Sequence, residues 1–369
     1  MRDIVRLLVR RVKDRWRGGT QDEFARIAAE ELHAQQSARE LAEADVLTAL
    51  ACMPLPPQLP AENERGRPSI TVHRDEVVRV EVVQRDPLSF GAHQHGSAGA
   101  FAPIVGKRLV VRYDCGARAA LGSGITWCDL APSEIRLLDL GDAEPILPGP
   151  ALTHDVFLLS PPGLTLTIRL QRRAPGPPAL TFVGRGFAFH EPEDRLLGAR
   201  RRLQTLLDLR AVRGPHAFED ALLTAAGVID PREALFLLAC LFDGSSGPRR
   251  AVAALAARLD VRLAVLEAEL EDVARRRSVK DALRFFDAEE ERIALAALWA
   301  TRTPEELREL WETLGRKERG LPPLEELLDS IVGERSESPI TLPPLLTPLA
   351  SRIVAQANGS TGKLAAGMS

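Results

Sequence analysis

Cysteine is scarce in this sequence. The four cysteines, at positions 52, 115, 128 and 240 of 369 residues, are too widely spaced for a CxxC site or a disulfide framework. Cys115 and Cys128 are therefore expected to be ordinary thiols in a cytoplasmic protein. No apolar run reaches 18 residues, so the sequence offers no candidate transmembrane helix. Residues 1–17 carry too many charges for the apolar core of a signal peptide. Neither sign of charge dominates: Lys plus Arg is 48 against 51 for Asp plus Glu, a formal net charge of -3. That balance argues against a generally basic nucleic-acid binder. Against these absences stand 45% apolar and 27% charged residues, an ordinary globular composition. The length allows one large domain or two to three modest ones.

The chain opens with a basic amphipathic helix. Ile4, Leu8, Val12 and Trp16 recur on one side, and Arg2, Arg6, Arg10, Arg11, Lys13 and Arg17 on others. It suits an anionic surface or, more simply, docking on its own domain. Gly18 and Gly19 stop it, Thr20 and Glu23 form a capping box for a helix over 21–33, and a further helix is expected over 38–52. The prolines at 54, 56, 57 and 60 end helical structure. From about 66 to 190 the period changes to two. Val78, Val80 and Val82 alternate with Arg79 and Glu81; Leu109, Val111 and Tyr113 with Arg108, Val110 and Arg112; and Leu164, Leu166, Ile168 and Leu170 with Thr165, Thr167 and Arg169. Eight to ten short antiparallel strands suit a sandwich or small barrel.

Beyond Pro192 helices return: 196–210, then 234–242 behind Asp230, Pro231 and Glu233, then 251–259 and 261–273, with Arg275, Arg276 and Arg277 near the last helix's end. Phe285, Phe286 and Ile293–Trp299 are apolar enough to pack on the bundle. Thr303, Pro304 and Glu306 start another helix, a short one follows over 323–333, and a Ser/Pro/Gly-rich tail fills 334–369. The organisation expected is therefore N-terminal helices over 1–60 packed on a strand domain at 66–190, a helical domain at 193–333, and a largely irregular tail.

Of seven histidines, three in the strand block have suggestive spacing: His93 and His95 in Gly-Ala-His-Gln-His-Gly, and His154 about sixty residues on. Residues i and i+2 of a strand share a face, so His93 and His95 can present two imidazoles together, with His154 on a neighbouring strand. Three neutral imidazoles facing one point suit iron, copper, nickel or zinc. Surface or hydrogen-bonding histidines would show the same spacing.

The stretch from Gly91 to Phe101, continued by Gly106-Lys-Arg-Leu-Val-Val-Arg-Tyr113, resembles the first metal motif of cupins, in particular that of bacterial thiol dioxygenases related to cysteine dioxygenase. Pro148-Gly-Pro-Ala-Leu-Thr-His154 resembles the second motif. The resemblance covers about 66–190. It implies an α+β protein whose strands form a cupin-type antiparallel β-barrel (double-stranded β-helix), with N-terminal helices and a large C-terminal helical domain. It further implies non-haem iron(II), with zinc, nickel or manganese as other candidate ions, on His93, His95 and His154. The cupin glutamate four residues beyond the second histidine is replaced by Gly99, which fits the three-histidine class. The Ser-x-His-x-Tyr strand of the mammalian enzymes corresponds to Thr165-Leu-Thr-Ile-Arg169, without the histidine or tyrosine. The only tyrosine, Tyr113, belongs to another strand, and no cysteine matches the thioether position.

On the strand 164–170, Thr165, Thr167 and Arg169 share the polar face. If that face lines a cavity, Arg169 can hold a substrate carboxylate bidentately; a solvated edge-strand arginine is the plainer expectation. Gln94 points away from its neighbours, Asp155 orients a ligand or caps a turn, and Phe101 and Trp127 are either pocket walls or core. The segment 231–277 resembles a winged-helix or peptide-docking fold, and also helical domains appended to ribosomal-protein hydroxylases.

Three functions follow: an iron(II) oxygenase for a small thiol or carboxylate, an oxygenase whose helices dock a peptide or protein, and a non-catalytic metal-binding cupin. The partner expected is a small molecule or peptide. A homodimer is compatible with the sequence, and no convincing recognition helix points to nucleic acid.

Overall fold

A computed structural model describes residues 2–34, 44–52, 54–58, 69–85, 91–159, 163–171, 179–190, 193–243, 245–317 and 321–333. The expected tail over 334–369, Pro60 and the first part of the helix expected over 38–52 lie outside them.

Three helices open the chain: α1 (Arg2–Trp16), α2 (Gln21–Ala34) and α3 (Ala44–Cys52). The capping box starts α2 as expected, with Thr20 N donating to Glu23 Oε2 at 2.8 Å and Glu23 N donating to Thr20 Oγ1 at 3.2 Å. Eleven strands follow among the described residues: β1 (Ile70–Arg74), β2 (Val78–Arg85), β3 (His93–Gln94), β4 (Gly99–Val105), β5 (Arg108–Gly122), β6 (Ile125–Leu138), β7 (Glu144–Ile146), β8 (Thr153–Leu158), β9 (Gly163–Leu170), β10 (Leu180–Val183) and β11 (Phe187–His190).

They form a five-stranded sheet, ordered β1-β2-β9-β4-β7, and a closed six-stranded antiparallel barrel, ordered β10-β11-β6-β5-β8-β3. Alternation dictates how the five-stranded sheet is covered. Val78, Val80 and Val82 stand opposite Leu170, Ile168 and Leu166. Together with Ala100, Ala102 and Ile104 of β4, these residues bury against Val5, Leu8, Val9 and Val12 of α1 and Phe24, Ile27 and Ala28 of α2. The apolar stripe of α1 is thus spent on its own domain, and Arg6, Arg10 and Arg11 are left outside. The other face of the sheet turns towards the barrel.

The β5–β6 hairpin is longer than the alternation at 108–113 suggested. Its near half pairs with β8 over Arg108–Tyr113, and its far half pairs with β11 through Ile125, Thr126 and Trp127. Register shifts between Cys115 and Arg118 mark the corner between the two halves. A bulge of this kind bends a strand and increases its twist. Here the structure corrects the expectation of free thiols: Cys115 and Cys128 form a disulfide across the corner, with Cα atoms 6.2 Å apart. The thirteen-residue separation in sequence hid a cross-strand neighbour, because the hairpin turn returns Cys128 to the level of Cys115. Cys52 and Cys240 are not disulfide-bonded.

The helices beyond β11 are α4 (Glu193–Arg213), α5 (Pro215–Val228), α6 (Pro231–Leu241), α7 (Ser246–Leu259), α8 (Leu263–Ala282), α9 (Glu289–Ala300), α10 (Pro304–Lys317) and α11 (Leu324–Gly333). Asp230 caps α6 as its position suggested, accepting from Arg232 N. Helix α5 has no counterpart among the helices expected from the sequence; Gly214, at φ 81°, is its N-cap and Pro215 opens it. Helix α8 outruns its expected end at 273, so Arg275 and Arg276 lie within it and pair with Asp272 rather than capping a terminus. Burial alone would raise the Asp272 carboxyl, but the guanidiniums of Arg276, Arg275 and Arg302 hold it well below the ordinary range. The chain divides into two compact units, Met1–Glu271 and Asp272–Ser369. The first therefore holds the strands and the helices as far as the middle of α8. Among the described residues no strand follows β11.

Candidate metal centre

The short strand β3 brings the histidines together. It runs antiparallel to β8 with His93 directly opposite His154, and directly opposed residues share a face. Gly91, at φ +42°, lets the chain enter β3 hard against β10: a Cβ there would lie 2.6 Å from the Phe182 carbonyl oxygen. On the other side of the pair, Gly149 N donates to the His95 carbonyl at 2.7 Å, and Pro148 bridges to His95. A turn over Gly149–Ala151 then leads into β8. The two motifs therefore hold each other in place.

All three imidazoles are buried, with relative exposures of 7% for His93, 8% for His95 and 1% for His154. Their Nε2 atoms converge: His95 to His154 is 2.9 Å and His154 to His93 is 3.2 Å. A ring Nε2 offers either one lone pair or one N–H, so a single hydrogen bond can match only two of three such atoms, whereas one cation satisfies all three lone pairs. Two nitrogens bound about 2.1 Å from one ion at right angles lie about 3.0 Å apart. The observed spacings fit that arrangement, and a metal at this point would be held by three neutral donors.

The barrel is cupin-like, with a facial three-histidine set. Gly99 stands at the start of β4, four residues beyond His95. No protein-family model matches the chain, and no curated protein matches it. The cupin likeness rests on strand topology and on the histidines.

The remaining residues singled out in the sequence sort by strand face. Gln94 points away from the triad and donates from Nε2 to Thr153 Oγ1 at 2.8 Å, stapling β3 to β8 from behind. Asp155, also on the reverse face, accepts from Val156 N at 2.9 Å. Phe101 is a wall of the site, its ring centroid 5.7 Å from that of His154. Trp127 instead packs edge-on against Phe187 at 5.1 Å. Thr165, Thr167 and Arg169 share the face of β9 that carries Thr167 opposite Phe101 and Arg169 opposite Gly99. Because β9 lies between β2 and β4, Arg169 is no edge-strand residue. Both hydroxyls are engaged: Thr165 accepts from Arg108 Nη1, and Thr167 donates to the Glu81 carbonyl at 3.3 Å.

Sequence reasoning missed the charges that share this space. Arg112 stands directly opposite His154 on β5. Its guanidinium pairs with Glu144 and, at 3.1 Å, with Glu134, and Arg136 also pairs with Glu144. Arg108, fully buried, reaches from β5 to Thr165. In the sequence Arg108 and Arg112 alternate with Leu109, Val111 and Tyr113, a pattern that does not record what covers their face. Both faces of β5 are in fact covered there, and the acid that compensates Arg112 comes from a strand of only three residues, Glu144–Ile146.

Proposed function

We propose that His93, His95 and His154 hold a divalent first-row metal, iron(II) foremost with zinc, nickel or manganese as substitutes, and that the protein is a metal-dependent oxygenase acting with O2 on a small thiol- or carboxylate-bearing molecule. The observation that carries this reading is the convergence of three buried Nε2 atoms within bonding reach of one ion. Bound iron(II) would supply the redox chemistry with O2. The imidazoles bind as neutral donors, so the site keeps the metal's positive charge and favours an anionic substrate. Three protein donors leave part of the coordination sphere to ligands from outside. Arg169 would receive the carboxylate on its planar fork, with Thr165 and Thr167 shaping the same strand face. Phe101 keeps water from one side of the triad.

A peptide or protein substrate docked on helices within 193–333 is the second reading, suggested by the resemblance of 231–277 to docking folds. Among the described residues no helix is long and apolar enough to cross a membrane, and we place the protein in the cytoplasm.

Metal analysis after anaerobic purification tests the site. About one ion per chain is expected in the wild type, with most of it lost in His95→Ala; equal metal content in the two proteins would sink the proposal. Oxygen uptake against panels of small thiols, carboxylates and peptides separates the two substrate readings, and a metal-loaded protein that consumes no O2 with any of them is a non-catalytic cupin.

A further inference from the structure

We propose that Cys115 and Cys128 are a thiol–disulfide exchange pair, opened and closed by a monothiol of the glutathione class. The two sulfurs are unequal. Cys128 is 1% exposed, whereas Cys115 is half-buried and open to attack. The Arg118 guanidinium lies against Cys115, with Nε 3.2 Å from Sγ. A cation at that distance favours the thiolate over the thiol. An accessible sulfur next to a cation, bonded to a shielded partner, suits reversible exchange better than a permanent staple.

The step balances with two monothiols. A first thiolate attacks Cys115 Sγ, forming a mixed disulfide and releasing Cys128 as thiolate, which takes a proton. A second thiolate attacks the monothiol sulfur of the mixed disulfide, and Cys115 leaves as a thiolate beside Arg118. One protein disulfide is reduced, and two monothiols are oxidised to their disulfide. A cytoplasmic location is compatible with a bond of this kind, because thiols there are kept reduced unless the disulfide is transient.

The position of the pair gives the exchange a consequence. The near half of the hairpin pairs with β8, which carries His154. The far half pairs with β11, which leads through β10 to β3, the strand of His93, with His95 just beyond it. The disulfide spans the corner between the halves. Opening it loosens the link between the two routes by which the histidines are placed. This second arm rests on the metal reading, whereas the exchange itself does not.

The test uses the full chain equilibrated over a series of reduced-to-oxidised glutathione ratios, then blocked with an alkylating reagent and counted by mass spectrometry at Cys115 and Cys128. The expected result is a reversible loss and return of both thiols together, with circular dichroism unchanged. Arg118→Gln should hold less of the reduced form at any given ratio. A disulfide that opens only when the fold is lost would overturn the proposal. An Arg118→Gln protein that titrates like the wild type would overturn the role of the arginine. For the coupling, cobalt(II) is loaded and its release to a chelator is timed in the oxidised wild type and in the Cys115→Ser/Cys128→Ser double variant. Faster release from the variant is expected, and equal release would overturn the coupling. If neither protein binds cobalt, the metal reading and the coupling fail together, while the thiol count still decides the exchange.

Discussion

A Cβ on Gly99 would lie 2.3 Å from the Ile168 carbonyl oxygen and 3.2 Å from both Cα and Cγ of Arg169. The nearest of these is backbone, so the neighbour cannot swing away. Gly99→Ala should therefore destabilise the fold by about 1–3 kcal/mol, the usual cost of overpacking a filled site, read as a fall in the denaturation midpoint without change of slope. A glutamate would fare no better, so a four-ligand site cannot be recovered by that single change. At this scale the histidines were legible and the arginines were not. A spacing of two places His93 and His95 on one face whatever the partner strand, so local geometry was enough. The directions of Arg108 and Arg112 depend on which strands cover β5, and no local pattern records that.

Among the elements, α1 and the turn between β1 and β2 are joined by one carboxylate. Asp75 accepts from the backbone N–H groups of Val77 and Val78 at 2.8 Å and from Lys13 Nζ at 3.1 Å. Burial by itself would raise its pKa, but these donors together with His73 hold it at about 2. A carboxyl depressed on folding contributes its full stability above its unfolded value, near 3.8, and loses that contribution as pH falls through about 2. Asp75→Asn is expected to cost about 1–2 kcal/mol at neutral pH, with the difference from wild type shrinking between pH 4 and pH 2 in urea denaturation. A constant difference across that range would contradict the assignment. Helix starts with a side-chain signal, such as Thr20 with Glu23 and Asp230 with Pro231, were readable because the signal is local. Helix α5 begins without a side-chain cap, and the extra turns of α8 are held by ion pairs to Asp272, so neither announced itself in the sequence.

The first unit places a five-stranded sheet between two helices and a closed barrel. A buried three-histidine site of this kind exists only in the folded chain, so a metal that binds there must stabilise it. At a free concentration one hundred times its dissociation constant the gain is about 2.7 kcal/mol. The thermal midpoint should rise with added cobalt(II) or iron(II) in the wild type and stay put in His154→Ala. The general architecture was legible because the period of the pattern changes from helical to alternating near 66 and back after 190. The pairing of β11 with the far half of a fifteen-residue strand's hairpin was not, since nothing in Arg118–Gly122 alternates.

That shared hairpin also dictates an order of events. Strand β3 has two residues of its own and is held on one side by β8 and on the other by β10, partners about sixty and ninety residues away along the chain. Contacts so distant in sequence cost loop-closure entropy before they can form. His93 and His154 meet only once β3 has paired with β8, so an ion bound there would be a latecomer entering a finished cradle instead of a seed around which the chain collapses.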